Sequence, residues 1–309
     1  MKKLITGLVL FLLIFVACTS PIIADGTSMA LDLTEMQRYE TAISLCWIDD
    51  SLYVLGHKGV YSWENGSEKM NTVIDLTVAS NYDYVQDCPE DESEAAVWNQ
   101  MLQLIFTDGE TLYGLHPYSG MIKKIEGNTQ TNVAEIQQEY LYSEDMEAYR
   151  EIRQAVYTDK KLYLLLGTDT YEEYDKTELC AFDLDTSEME LVDIDGVNSI
   201  MLGAEGLLIQ TNDALSGVAQ YDVESGTLGE EVLTVGEDER IAGVAWDAVD
   251  QRYVRFVQGQ VVTCDANGNE IAKAYIPVFD ATENVPAACS ATGLYALANG
   301  RYIFIRDIT

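Results

Sequence analysis

Val218-Ala219-Gln220-Tyr221-Asp222-Val223-Glu224-Ser225-Gly226 runs from an apolar stretch into an acid and then Ser-Gly, and a second β-prone segment, Gly229 to Val235, follows at once. An acid after an apolar residue, closed by Ser-Gly, suits a tight hairpin whose turn needs a positive φ. Upstream stands Gly206-Leu207-Leu208-Ile209, and before that Ser199 to Leu202 across Gly203-Ala204-Glu205. Short β-rich runs bounded by turn residues are strands, so this stretch reads as four antiparallel strands in succession.

The same unit recurs along the chain. Segments aligned on a tyrosine or its substitute begin at Ser51, Thr111, Lys161, Gly206, Arg252 and Gly293, and the aligned positions recur every 42 to 60 residues. Each has an apolar segment before it: Ile43 to Ile48, Leu102 to Phe106, Ile152 to Tyr157, Ser199 to Leu202, Gly243 to Trp246 and Ala287 to Ser290. Third strands ending in turns follow at Gly59-Val60-Tyr61-Ser62-Trp63, Met121-Ile122-Lys123-Lys124-Ile125, Leu179-Cys180-Ala181-Phe182 and Val261-Val262-Thr263-Cys264. Fourth strands are expected at Met70 to Leu76, Thr131 to Ile136, Glu188 to Ile194 and Glu270 to Ile276. Repeated four-stranded antiparallel units predict an all-β fold, a β-propeller of six four-stranded blades. The sixth unit reaches only its third strand, Tyr302 to Asp307, while Met29-Ala30-Leu31-Asp32-Leu33-Thr34-Glu35-Met36 alternates like a fourth strand with no unit of its own. Pairing the two would close the ring and leave no long free edge.

The N-terminus gives an address. Met1-Lys2-Lys3 is positive, and Leu4 to Val16 is an apolar run too short to span a bilayer, which takes roughly 20 residues. Phe15-Val16-Ala17-Cys18 then resembles the lipobox of bacterial lipoproteins, with Phe15 where leucine is usual. That resemblance implies cleavage after Ala17 and lipidation of Cys18; a plain signal peptide cut near Ala24 is the alternative. The expected organisation is a signal peptide at 1–17, a lipid-anchored tether at 18–28 and the propeller at 29–309. The chain is thus expected to be exported and held at the outer face of the cytoplasmic membrane. More than one acyl chain is required for stable anchoring, and a multiply acylated Cys18 meets that requirement.

The repeats, best seen in Tyr221-Asp222-Val223-Glu224-Ser225-Gly226, resemble the pyrroloquinoline-quinone-like and YVTN-like propeller repeats over about residues 42 to 309. Together with the lipobox, the chain looks like surface lipoproteins of Gram-positive anaerobes, in some of which a propeller precedes an extracellular solute-binding domain. The resemblance implies a fold and a location but no activity, because fold alone does not license function. No tryptophan-docking motif stands at regular positions, so no quinone site carries over and no cofactor is expected.

Composition narrows the function classes. Fifty-two acidic residues against eighteen basic ones give a net charge of −34, which disfavours nucleic acid and anionic lipid as partners. The acids are dispersed, as on a solvated exterior. Cys46, Cys180, Cys264 and Cys289 fall in apolar strand patterns and read as buried thiols. With only His57 and His116 available, both placed like turn residues, neither a zinc site nor a Ser-His or Cys-His pair is expected. Asp265-Ala266-Asn267-Gly268-Asn269-Glu270 looks like a calcium loop but lacks the acid at the twelfth position.

Two insertions, Ala79 to Gln100 and Gln137 to Arg153, carry tyrosines among acids and short helical patterns; they are candidates for ligand contact or for capping an end of the barrel. Trp47, Phe106, Tyr157 and Trp246, at the ends of the first strands, are the candidate ligand-facing residues, with inter-blade core as their other reading. The expectation is therefore a non-catalytic surface module that binds a protein or carbohydrate, ancillary to solute uptake. An extracellular hydrolase or lyase acting on glycans is the alternative.

Overall fold

The computed structural model describes residues 42–305 except 65–66, 68, 83–84, 144–147, 169–175, 212–216, 235, 237–240, 248–249, 258–259, 276–286, 291–292 and 299–300. Five antiparallel sheets of four strands follow one another, each with its strands paired in chain order. Their innermost strands are Ala42–Ile48, Leu104–Thr107, Glu151–Thr158, Val197–Gly203 and Ile241–Asp247. A three-stranded sheet comes last, built from Ala287–Ser290, Gly293–Ala298 and Arg301–Ile305. Each innermost strand neighbours the next, and Ala287–Ser290 neighbours Ala42–Ile48, so the inner strands stand in a ring. The fold is a β-propeller.

Six four-stranded blades were expected, and the structure has five. The last sheet stops at three strands because Arg301–Ile305 has no fourth partner among the described residues. The segment 29–36, expected to supply that partner, lies outside the described residues, as does Cys18. A second correction concerns 137–153, read as an amphipathic helix: among the described residues only Gln138–Leu141 is helical, and Tyr142–Ser143 and Ala148–Tyr149 are extended. The inner strand of blade 3 claims the chain from Glu151 onward, which leaves one helical turn.

A sheet buried on both faces needs apolar residues at every position, and strands such as Gly206–Thr211 and Arg252–Val257 are buried along nearly their whole length. The apolar side chains gather into clusters between neighbouring blades. Leu55, Val60, Ile105 and Ile125 join blades 1 and 2. Leu115, Ile122, Leu162 and Phe182 join blades 2 and 3. Tyr163, Leu179, Leu207 and Ile209 join blades 3 and 4, and Leu208, Leu233, Val244 and Tyr253 join blades 4 and 5. No blade hides its own faces, so packing and closure are one event.

Polar side chains fasten the inner edge of the ring. Ile105 N–H donates to Ser44 Oγ at 2.8 Å across blades 1 and 2. Ile200 N–H donates to Gln154 Oε1 at 2.7 Å across blades 3 and 4, and Gln210 Nε2 donates to Ile241 O at 3.2 Å across blades 4 and 5. In four of the five blades the inner strand carries a bulge just before this level, at Ile43, Arg153, Asn198 and Ala242. A bulge adds local twist and turns a side chain aside, which brings Ser44 and Gln154 toward the next blade. Ser44→Ala would leave the buried Ile105 N–H without its acceptor. We expect a loss of about 1–3 kcal/mol in equilibrium unfolding; an unchanged denaturation midpoint would refute the role of this bond.

The outer hairpins follow one rule. Asp183, Asp222 and Asp265 each accept two N–H bonds from the next few residues through Oδ1, at 2.9 to 3.1 Å. The carboxylate mimics a backbone turn, and all three acids are held below the usual carboxylate range, Asp265 first by the side-chain amide of Asn269 and then by the backbone N–H bonds, Asp183 and Asp222 chiefly by the backbone N–H bonds. The apolar-Asp-x-x-Ser/Thr-Gly pattern is therefore a turn whose acid is consumed locally. That use includes Asp265, which had looked like the head of a calcium loop.

Candidate functional site

Trp47, Tyr157 and Trp246 occupy equivalent places, pairing with Leu52, Leu162 and Tyr253, the second residues of the aligned segments that begin at Ser51, Lys161 and Arg252. All three are partly buried. Trp47 meets Trp63 edge-on at 6.2 Å, and Trp246 lies against Tyr253 at 4.5 Å. Phe106 departs from this set. Its turn, Asp108 to Thr111, has four residues where Asp159-Lys160 has two, so Phe106 pairs with Tyr113 one register earlier. A one-residue slip moves a side chain to the opposite sheet face. Phe106 is accordingly 3% exposed and stacks on Tyr113 within the cluster between blades 2 and 3.

The first insertion folds onto blade 2 as a cap. A 3-10 turn, Ala79–Tyr82, leads to helix α1, Glu92–Trp98. Asp91 caps the helix start by accepting N–H bonds from Ser93 and Glu94. Trp98 Nε1 donates to Val85 O at 2.7 Å and closes the insertion on itself. Two buried cationic-type side chains anchor it from below. His116, read as a turn residue, directly follows strand Leu112–Leu115 and leads into a turn, but it is fully buried; its Nδ1 accepts N–H bonds from Tyr118 and Ser119, and its Nε2 sits 3.0 Å from Trp98 O. With Nδ1 accepting and a carbonyl at the other nitrogen, the ring is the neutral tautomer protonated on Nε2. Burial, and then the charge of Lys123, pushes its pKa down to about 4, against the pull of the Trp98 carbonyl. Lys123, 1% exposed, donates to Asn99 O at the end of α1, and burial pushes its pKa down to about 8.

Three of the four described thiols face inward. Cys46 and Cys180 are buried free thiols pushed up to about 12, the first by burial and the second by burial and then Glu178. Cys264 is likewise buried, while Cys88 is exposed on the insertion. Among the described residues, no group of three or more His, Cys, Asp or Glu is gathered around a common point.

An open groove of about 540 Å³ separates blades 1 and 2 on the face that carries the outer hairpin turns. Its floor is the exposed edge of the inter-blade cluster: Ile48, Tyr53, Val73, Leu112 and Ile125. Its rim is polar and carries both signs of charge, with Thr72, Glu110, Thr111, Lys124, Glu126 and Asn128. Lys124 Nζ lies 2.7 Å from Glu126. Tyr53 is held neutral above its ordinary pKa by burial and by Cys46, Glu64 and Asp49. Sequence reasoning missed this groove because its walls come from strands far apart in the chain, each unremarkable alone.

No protein-family profile matches the chain, and no curated protein matches it. Solved structures do. A gluconolactonase from Xanthomonas campestris superposes with a TM-score of 0.57 at 9% identity, covering 85% of each chain. Regucalcin, a calcium-binding protein from Agrobacterium tumefaciens, superposes with a TM-score of 0.50 at 13% identity, covering 90% of this chain and 85% of that one. The extracellular domain of a hybrid two-component system of B. thetaiotaomicron matches at 10% identity and a TM-score of 0.42; this chain spans only 38% of its length. At such identities the likeness is one of architecture, and what this chain shares with these proteins is the β-propeller fold.

Proposed function

We propose that this protein is an exported, lipid-anchored, non-catalytic binding module that presents a propeller at the outer face of the cytoplasmic membrane. The observation that carries the reading is the employment of His116: walled in, neutral, and bonded through both ring nitrogens to the backbone that holds the cap. A side chain so placed serves architecture, and the buried thiols of Cys46, Cys180 and Cys264 are placed the same way. What faces solvent is an acidic exterior with a polar-rimmed groove, which suits recognition of a protein or carbohydrate. In this reading residues 18–28 tether the propeller to the lipid on Cys18. Trp47, Tyr157 and Trp246 remain candidate ligand-facing residues.

A second reading, an extracellular hydrolase or lyase acting on glycans, draws on the architectural likeness to a gluconolactonase. Turnover assays on lactones and glycans separate the two.

The anchoring is tested by following the protein in its own cell envelope. Cys18→Ser should move most of the protein from the membrane fraction to the soluble fraction and abolish incorporation of labelled fatty acid. Unchanged membrane retention with unchanged labelling would overturn the lipid anchor.

A further inference from the structure

We infer that the groove between blades 1 and 2 binds an uncharged oligosaccharide, with a sugar ring stacked on Tyr53. This inference rests on the binding-module reading and adds a site and a ligand class to it. The groove's volume of about 540 Å³ falls within the roughly 300–1,000 Å³ of small-ligand sites. Its floor is apolar and its rim is not, and the combination selects the ligand. A lipid tail or an apolar helix face would cover the floor, but it would strip water from Glu110, Thr111 and Asn128 and offer no hydrogen bonds in return, at a cost of roughly 1–3 kcal/mol per group.

A pyranose is built the other way. Its C–H face is apolar and its edge is a row of hydroxyls, each both donor and acceptor. The rim answers with acceptors on Glu110 and Glu126, a cationic donor on Lys124, and groups of both kinds on Thr111 and Asn128. The Lys124–Glu126 pair at 2.7 Å leaves further donors on the ammonium and a second oxygen on the carboxylate. Charge settles the remaining choice. Acidic saccharides would approach a chain of net charge −34 through a rim carrying Glu110, and are repelled.

The test is calorimetric titration of the mature, full-length protein with cellotriose, maltotriose, xylotriose and chitotriose, and with trigalacturonate as the charged counterpart. At least one uncharged sugar should bind, and trigalacturonate should bind at least about tenfold more weakly than it. Asn128→Trp, placed on an exposed turn to fill the groove without touching the core, should weaken binding by at least about tenfold with an unchanged melting temperature. Tyr53→Phe should stay within about threefold, because the ring is kept. Failure of every uncharged sugar to bind would overturn the inference, as would binding indifferent to Asn128→Trp. The second result would leave the binding-module reading standing, whereas turnover of the bound sugar, blocked by Asn128→Trp, would keep the groove and discard the non-catalytic reading.

Discussion

Gly268→Val is expected to destabilise the propeller by about 4 kcal/mol, combining a left-handed backbone cost of roughly 1–2 kcal/mol with displacement of packed structure at about 1–3 kcal/mol. Gly268 stands in the outer turn of blade 5 at φ +83°, where a branched side chain is strained whatever the space around it. A Cβ there would fall 1.8 Å from Val232 O and 3.0 Å from Val232 C, on the outer strand of blade 4. Those atoms are backbone and cannot swing aside, so either the hairpin or the neighbouring blade must move. Gly226, the positive-φ glycine of the corresponding turn in blade 4, provides the control. Its φ is +69°, yet nothing lies within 4 Å of its Cβ, so Gly226→Val should cost only the backbone share of roughly 1–2 kcal/mol. Equilibrium denaturation in urea measures both. Equal losses for the two variants would mean that the contact between blades 4 and 5 contributes nothing.

The contrast between those two glycines shows what was legible in the sequence. Both turns were readable, because the acid, the small residues and the glycine are a local code: Asp222 and Asp265 bind the next N–H groups in the way the pattern implies. The strand ladder was readable for the same reason, since Leu52, Leu112 and Leu162 begin similar runs and all pair with the inner strand beside them. Contacts between blades were not. Lys123 and Lys124 are adjacent and look alike in sequence, but successive strand residues face opposite sides of the sheet, and the side that Lys123 faces is covered by the cap, which leaves it 1% exposed beneath α1. Phe106 resembled Trp47 and Tyr157, and the longer turn after it changed its face. The groove beside Tyr53 is a junction of blades that no single segment encodes. Strand-period signals identify which residues are inside; which neighbour each one meets is decided by registers and bulges.

Lowering the pH from 6.5 to 4 is expected to cost the domain about 3 kcal/mol through His116 alone. The ring titrates near 6.5 in an unfolded chain and near 4 in the fold. Between those values the unfolded state binds a proton that the folded state refuses, so stability is whole above pH 6.5 and falls as the pH drops toward 4. The cause is geometric. Protonation would put a hydrogen on Nδ1, where Tyr118 and Ser119 already aim their N–H groups. It would also place a second buried cation near Lys123, whose nearest resolved partner is the carbonyl of Asn99. The acids of the outer turns act in the same direction but in another window, since Asp183, Asp222 and Asp265 are held below 3.8 and their stabilisation fades at lower pH. Urea denaturation at half-unit steps from pH 7 to 4 should therefore show a limb above pH 4 that is absent in His116→Gln. That variant pays a fixed loss, because its amide cannot accept both N–H bonds and also reach Trp98 O, and it gains no proton. If wild type and His116→Gln lost stability in parallel across this range, the cap over blade 2 would owe nothing to a neutral imidazole.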